Sequence, residues 1–426
     1  MVFTISDTGN FIQQALQYAC KASDHVFFLG NNGANYRHGT FPKILTFGAH
    51  SILKPVEGLT TFEVLKTFHK KALLPIFGFF TYDLKNEIEP LVSNHPDFVG
   101  FPDSCFIEPE VLIRFDNNEI EITSHKGNEL QLFNAIMLHS WQPIAYVPPT
   151  KIHCRFTREE YIQQVKLIQQ HILRGDIYEL NFCTEFYIPN ILIDPVDVFL
   201  KLHAISPNPF AAFVKHNGQY ALCASPERFL KKSVDDLISQ PIKGTIKRGA
   251  TQTEDDILKA SLSNSEKERA ENVMIVDLVR NDLSHTAKDG SVTVDELFGI
   301  YTFEQVHQMI STVKAKQSKS FHFTDTLQNC FPMGSMTGAP KISAMKLIEH
   351  YERTKRGLFS GAIGYITPSE DFDFNVVIRS ILYNAGTGYL SFQAGSAITS
   401  DADPVHEWEE CAIKTRAIRE VLYKVQ

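Results

Sequence analysis

The sequence predicts an α+β fold, and three observations carry the prediction. Its 426 residues are 43% hydrophobic and 21% charged, a globular composition far from the polar, highly charged one that keeps chains unfolded. Strand and helix patterns do not alternate strictly, and many strands read as hairpin-paired, which disfavours a doubly wound parallel sheet. No repeat or low-complexity tract interrupts these elements, and the length suits two or three folding units or one large one.

Residues 11–22, after Asn10, have the apolar spacing of an amphipathic helix. Residues 75–84 form a near-continuous apolar run and predict a buried strand ending in a turn. Residues 111–115 and 119–123 predict a hairpin about Asn117-Asn118. The segment Gln142-Pro143-Ile144-Ala145-Tyr146-Val147-Pro148-Pro149-Thr150 cannot be helical throughout, because each proline lacks an amide donor and restricts the residue before it. It marks a junction between residues 1–145 and 150–426. Thr157-Arg158-Glu159-Glu160 then starts a helix, with Tyr161, Val165, Ile168 and Ile172 at helical spacing up to Gly175. A strand follows at 177–187. Further helices are predicted at 255–262, 266–278, 305–313, 341–350 and 406–423, and strands at 211–214, 362–367, 375–383 and 389–394.

Charge narrows the function. Lys and Arg total 41 against 49 Asp and Glu, a net charge of −8, so there is no basic footprint for nucleic acid or an anionic membrane. The seven cysteines are scattered, with no Cys-x-x-Cys, which suggests neither a disulfide framework nor a zinc site. The opening Met-Val-Phe-Thr-Ile-Ser-Asp lacks a basic n-region and sustained apolar stretch, and no run approaches the ~18 apolar residues of a span. A reducing cytoplasmic location is expected.

Familiar catalytic signatures are absent: no Gly-x-Ser-x-Gly, His-Glu-x-x-His or Gly-x-Gly-x-x-Gly occurs. Gly334–Lys341 has the wrong glycine spacing for a phosphate loop and reads as a turn opening the 341–350 helix, whose free amides could face an anion. Two acidic sets are more informative. Glu268 and Glu271 are three apart on one predicted helix, and Glu407, Glu410 and Lys414 stand at i, i+3 and i+7 on another. Were the two faces to converge, they would make an oxygen-rich site for Mg²⁺; the same spacing also suits a solvated helix surface. Lys243, between Pro241-Ile242 and Gly244-Thr245, would become a nucleophile if desolvation lowered its pKa toward neutrality, and is otherwise a turn lysine facing solvent. Glu227, in Ser225-Pro226-Glu227-Arg228-Phe229, suits a general acid or half of an ion pair. His307 lies among Val306, Met309 and Ile310 on the predicted 305–313 helix, a setting commoner for a core histidine than for a catalyst. Arg379, after Val376-Val377-Ile378, is the residue type that clamps a carboxylate, and equally one that caps a strand.

Taken in order, these residues resemble the chorismate-utilising enzymes, the family of anthranilate synthase component I, aminodeoxychorismate synthase component I, isochorismate synthase and salicylate synthase. The likeness runs through Gly175-Asp176-Ile177-Tyr178, Ser225–Phe229, Pro241–Thr245, Glu271–Leu283, Phe331–Lys341, Ile378-Arg379-Ser380, Ala394–Ile398 and the Glu407, Glu410, Lys414 set. Gly78–Leu84 looks like the family's Gly-Tyr-x-Ser-Tyr-Asp element. The resemblance implies two antiparallel-rich sheets packed face to face with helices outside, in which parts 1–145 and 150–426 intertwine in one unit. It also implies Mg²⁺ held by Glu271 and Glu410 with Glu268 and Glu407 in support. Substrate binding falls to Arg379, the backbone of Gly395, Lys414, Gly244, Thr245, His307 and Phe359. Glu227 would protonate the departing C4 hydroxyl of chorismate, and Lys243 would attack C2.

A lysine within Pro-Ile-Lys-Gly-Thr marks the members that aminate chorismate at C4, where anthranilate synthases carry alanine. The implied reaction is Mg²⁺-dependent conversion of chorismate and ammonia to 4-amino-4-deoxychorismate, for p-aminobenzoate and folate. The alternatives are anthranilate synthase component I and a non-catalytic chorismate-binding regulatory subunit. No cysteine lies in the Gly-x-Cys-x-Gly context of a class I glutaminase, so ammonia is expected from a separate glutamine amidotransferase subunit. The sequence departs from the family in four places, one being Ala394-Gly395-Ser396 in place of a more glycine-rich turn. Glu179 follows Tyr178 where relatives carry glutamine or a lysine base, leaving a carboxylate near C2 unexplained. Phe359 replaces a tyrosine, and the tryptophan-site element Leu-Leu-Glu-Ser is not recognisable.

Overall fold

The structure, a computed structural model, describes residues 1–31, 33, 36–141 and 151–424. The proposed junction at 142–150 lies outside the described residues. Among those described, every strand pairing is antiparallel, and hydrogen bonding is continuous through two arms. The first arm runs, neighbour to neighbour, through Val2–Thr4, Glu119–Ser124, Ser104–Asp116, Ile44–Ile52, His25–Gly30, Phe210–His216, Gln219–Ser225, Ser380–Asn384, Tyr389–Ile398 and Glu179–Ile188. The second runs from Ser104–Asp116 through Ile76–Phe80, Ala362–Ile366, Phe372–Asn375, Arg228–Ser233 and Asp236–Gln240 to Val306–Lys316, which also pairs with Ile242–Lys247 and Thr293–Thr302.

Ser104–Asp116 joins the arms because its two ends have different partners on one edge, Ile76–Phe80 first and Glu119–Ser124 later. A register shift on the neighbouring strand, between Ala49 and Ser51, falls opposite Pro109. A proline offers the ladder no amide, so it sits where pairing is already irregular. Strands before residue 142 therefore pair directly with strands after 151: His25–Gly30 with Phe210–His216, and Ile76–Phe80 with Ala362–Ile366.

Strand alternation sorts the core into two layers. Phe27, Leu29, Val214 and Ala221 share an apolar cluster with Phe77, Phe79, Leu230 and Phe374 of the other arm. Val26, Phe28, Phe213 and Leu222 face the opposite way, in a cluster with the buried faces of helices Thr8–Ala22, Arg158–Leu173 and Pro195–Ile205. Thr157 and Glu160 close a capping box at the start of Arg158–Leu173, as the sequence pattern requires. The first helix begins three residues earlier than its apolar spacing indicates, because Asp7 caps it.

Three predicted elements differ. Residues 305–313 are not helical; they belong to the strand Val306–Lys316. The predicted 375–383 strand is two strands, Phe372–Asn375 and Ser380–Asn384, separated by a turn in which Arg379 adopts a left-handed φ of 51°. The 406–423 helix is divided at Thr415 into Pro404–Lys414 and Arg416–Lys424.

Candidate active site

The helices Glu266–Ser284 and Pro404–Lys414 and the turns between strands of both arms enclose a cavity of about 210 Å³. Ser265 caps the first helix through the amide of Glu268, and Asp403 caps the second. These caps fix the helical phase: Glu268 and Glu271 line the cavity while Ile275, Val276 and Val279 enter the core. On the second helix, Glu407, Glu410 and Lys414 line the same cavity and Cys411 is buried behind them. The two acidic faces thus share one chamber.

Glu227 occupies the turn between Gln219–Ser225 and Arg228–Ser233 and is 4% exposed. Fully buried Arg228 anchors that turn through both oxygens of Asp373, at 2.8 and 2.9 Å, and through Gln240. Ser335 Oγ donates to Glu227 Oε1 at 2.6 Å. Burial pushes the Glu227 carboxyl up to about 7, outweighing the Ser335 hydrogen bond and the charges of Lys243 and Lys414. Such a group is half protonated at neutral pH and can act as a general acid. Ser335 is itself positioned by Asn181 Nδ2, which donates to its carbonyl at 2.9 Å, and by buried Arg356, which donates to the carbonyls of Met336 and Asn181. From the Phe331–Lys341 motif, Ser335 and Met336 reach the cavity, whereas Lys341 is paired with Asp282 at 2.6 Å.

Lys243 and Gly244 lie in Ile242–Lys247, with Thr245 opposite Gln308. Gly244 has a φ of 98°, and a Cβ there would press on Glu268 Oε2 at 3.0 Å, so glycine serves both the turn and the carboxylate. Lys243 Nζ donates to Glu179 Oε1 at 2.7 Å. Lys243 is neither a turn lysine facing solvent nor a lysine of lowered pKa. Burial does act in that direction, but Glu179, Glu271 and Glu410 together hold the ammonium above its ordinary value. The atypical Glu179 is thereby accounted for as the lysine's ion-pair partner; it is 1% exposed and its Oε2 has no hydrogen-bond partner.

Arg379 lines the cavity, and among the described residues its guanidinium forms no hydrogen bond or ion pair, only its carbonyl accepting from the Ala224 amide at 3.3 Å. Burial lowers its guanidinium to about 10, with Glu227 opposing the shift. An arginine held this way suits an incoming carboxylate. Lys414 donates to the Gly395 carbonyl at 2.8 Å and pairs with Glu410 at 2.6 Å. Gly395 sits where a Cβ would run into the Phe182 carbonyl and Cys183. Phe359 lines the cavity and is 3% exposed. His307 does not. Successive strand residues face opposite ways, so Gln308 meets the cavity while His307 turns behind it, with Asp255 and Thr302 each 3.0 Å from its ring nitrogens.

The carboxylate wall fits a divalent cation. Glu271 Oε1 is buried without a hydrogen-bond partner, its nearest cation being Lys267 at 3.9 Å. Burial pushes Glu271 up to about 7, with Glu268 adding repulsion, and raises Glu268 and Glu407 as well. Oxygen donors short of positive charge suit Mg²⁺. His406, Glu407 and Glu410 also offer ligand atoms within 4.8 Å of one another. Sequence reasoning missed Lys267, which reaches Glu407 at 3.4 Å, and Ser335. The first was visible as the i, i+4 partner of Glu271; the second stood inside a recognised motif with nothing to mark it.

The family model described as chorismate binding enzyme matches residues 26–420. The aminodeoxychorismate synthase component 1 of Bacillus subtilis is 29% identical, over 97% of this chain and 94% of its own length. The anthranilate synthase component 1 of Thermus thermophilus is 32% identical, over 80% of this chain and 76% of its own. The chloroplastic aminodeoxychorismate synthase of Arabidopsis thaliana is 34% identical over 80% of this chain, which spans only 39% of that protein. Among solved structures, anthranilate synthase component I from Streptococcus pneumoniae superposes with a TM-score of 0.78 at 24% identity, covering 91% of this chain and 95% of that one. The likeness supports a shared fold, in which strands from both ends of the sequence build one sheet around the cavity. By the extent of the sequence match, the chain belongs to the chorismate binding enzyme family.

Proposed function

We propose that this chain aminates chorismate at C4, using ammonia, to give 4-amino-4-deoxychorismate for p-aminobenzoate and folate synthesis. The observation that carries the proposal is the pairing, in one cavity, of a buried carboxyl raised to about 7 with a lysine whose carboxylate partner lies at 2.7 Å. In this reading Arg379, with the Gly395 backbone and Lys414, binds the enolpyruvyl carboxylate. Glu271 and Glu410 would hold Mg²⁺, supported by Glu268 and Glu407; the ion, when bound, supplies positive charge for the ring carboxylate.

Lys243 passes a proton to Glu179, and the free amine bonds to C2. The ring double bonds shift, and the C4 oxygen leaves as water with the proton of Glu227, which hydroxide, a poor leaving group, requires. Ammonia then bonds to C4, the double bonds shift back, and the C2–Nζ bond breaks. Glu227 takes the proton from the new ammonium, and Lys243 recovers its own from Glu179. The sum is chorismate plus ammonia giving aminodeoxychorismate plus water.

Ammonia comes, in this proposal, from a separate glutamine amidotransferase subunit. Burial raises all seven thiols of this chain above their ordinary value, so none is poised as a thiolate nucleophile. Seven free cysteines also suit a reducing cytoplasm. Among the described residues, no helix is long and apolar enough to cross a membrane.

The test is product identification after incubating the purified chain with chorismate, Mg²⁺ and ammonium, with and without aminodeoxychorismate lyase. Lyase-dependent p-aminobenzoate supports the proposal. Anthranilate formed without lyase favours the second reading, anthranilate synthase component I, to which the similarity with the Thermus protein points. Untouched chorismate favours a binding subunit without catalysis.

A further inference from the structure

At the far end of the inter-sheet core, away from the cavity, three strands carry a row of polar side chains on one face. His25, His216 and Gln219 stand directly opposite one another on His25–Gly30, Phe210–His216 and Gln219–Ser225. Direct cross-strand partners project to the same side, and this side is the inner one, because Phe27, Val214 and Ala221, two residues along each strand, belong to the inter-sheet cluster. Across the gap lies Cys105 of Ser104–Asp116, 3% exposed and part of that cluster. The His216 ring meets Phe79, the strand partner of Cys105, edge to face at 5.9 Å.

This row is unusually short of partners. His25 Nδ1, His216 Nδ1 and Gln219 Oε1 are all buried without a hydrogen bond. Buried polar atoms in folded chains are ordinarily paired, so three together call for a ligand. One nitrogen of each imidazole and the Cys105 sulfur lie within 4.8 Å of one another. Two imidazoles and a thiol are the donor set of a borderline-soft transition metal, and three protein ligands leave a fourth position for water.

We propose that His25, His216 and Cys105 form a Zn²⁺ site that ties the two arms of the sheet together. The metal displaces the thiol proton, forming a metal–sulfur bond and releasing H⁺, with no change of oxidation state. Burial favours the neutral imidazoles that a metal requires, lowering His216 to about 4 and His25 in the same direction. Asn217 Nδ2 lies 3.2 Å from His216 Nε2 and orients the ring.

The full-length chain, stripped with a chelator, is titrated with Co²⁺ and followed by absorption. One equivalent is expected to give a thiolate-to-cobalt charge-transfer band that one equivalent of Zn²⁺ removes. Zn²⁺ is also expected to raise the apparent Tm, since it binds only the folded chain. Cys105→Ser abolishes the band. His216→Ala weakens Zn²⁺ binding by at least about tenfold, with circular dichroism confirming that both variants fold. Glu271→Gln keeps the band, separating this site from the carboxylate wall. No band in the wild-type chain, or a band that survives in Cys105→Ser, overturns the assignment.

Discussion

Replacing Glu227 with glutamine should make the protein slower and more stable together. The two effects share one cause. Glu227 is 4% exposed, and its carboxyl is raised from 4.5 to about 7, chiefly by burial. An acid raised by folding keeps its proton where the unfolded chain has lost it, so folding stability falls as pH rises from about 4.5 to about 7 and levels off above. At 1.36 kcal/mol per pKa unit, the ionised carboxylate costs the folded state about 3 kcal/mol above pH 7. Glutamine keeps the shape and the Ser335 contact without that charge, so the Glu227→Gln variant should show a higher Tm at pH 8 and little change at pH 5. Loss of a general acid should meanwhile lower kcat by roughly 10²–10⁴. The assay is chorismate consumption at constant free ammonia, so that ammonium titration does not distort the profile. Wild-type kcat should fall about tenfold per pH unit above pH 7, and this limb should be absent in the variant. In Ser335→Ala, which removes a hydrogen bond that lowers Glu227, the limb should move to higher pH. A Glu227→Gln variant with near wild-type kcat, or one that retains the alkaline limb, would refute the acid role; an unchanged Tm at pH 8 would refute the energetics.

Lys243→Ala should abolish C4 amination and, by leaving Glu179 buried and unpaired, cost about 3–5 kcal/mol in denaturant melts. The double variant Lys243→Met/Glu179→Leu should regain the stability and none of the activity, whereas restored turnover would remove the lysine from the chemistry. Arg379→Lys should raise the chorismate KM roughly tenfold or more with a smaller change in kcat, because an ammonium cannot grip a carboxylate bidentately; an unchanged KM in steady-state kinetics would rule the arginine out as substrate clamp. Chelation should stop turnover by the wild-type chain. Glu271→Gln should raise the half-saturating Mg²⁺ concentration by at least about tenfold, and an identical Mg²⁺ titration curve would remove Glu271 from the metal site.

The errors of sequence reading have definite physical origins. Val306, Met309, Ile310 and Val313 satisfy a helical spacing, yet the segment is a strand paired on both edges and buried on both faces. A strand buried on both faces takes in polar as well as apolar side chains on each, so its apolar positions do not alternate and here fall at helical spacing. The same misreading put His307 on a helix face, when strand alternation sends it to Asp255 and brings Gln308 to the cavity. The break at Arg379 was equally hidden, since no glycine marks the residue that adopts a φ of 51°. Lys243 shows the limit most sharply. Its flanking Pro-Ile and Gly-Thr left open a desolvated lysine of lowered pKa or a turn lysine facing solvent, but it is buried and Glu179, 64 positions away, turns the shift upward.

By itself, the sequence determined the α+β class, the capped helix start at Thr157, and the helical phases that put Glu268 with Glu271 and Glu407 with Glu410. All of these follow from neighbours within one or two turns. Tertiary structure alone decided which of those faces share a cavity, which carboxylate pairs with Lys243, and that Glu227 is buried enough to hold a proton near neutrality. Charge and desolvation act through space between residues far apart in sequence, and no local pattern encodes the distances on which they depend.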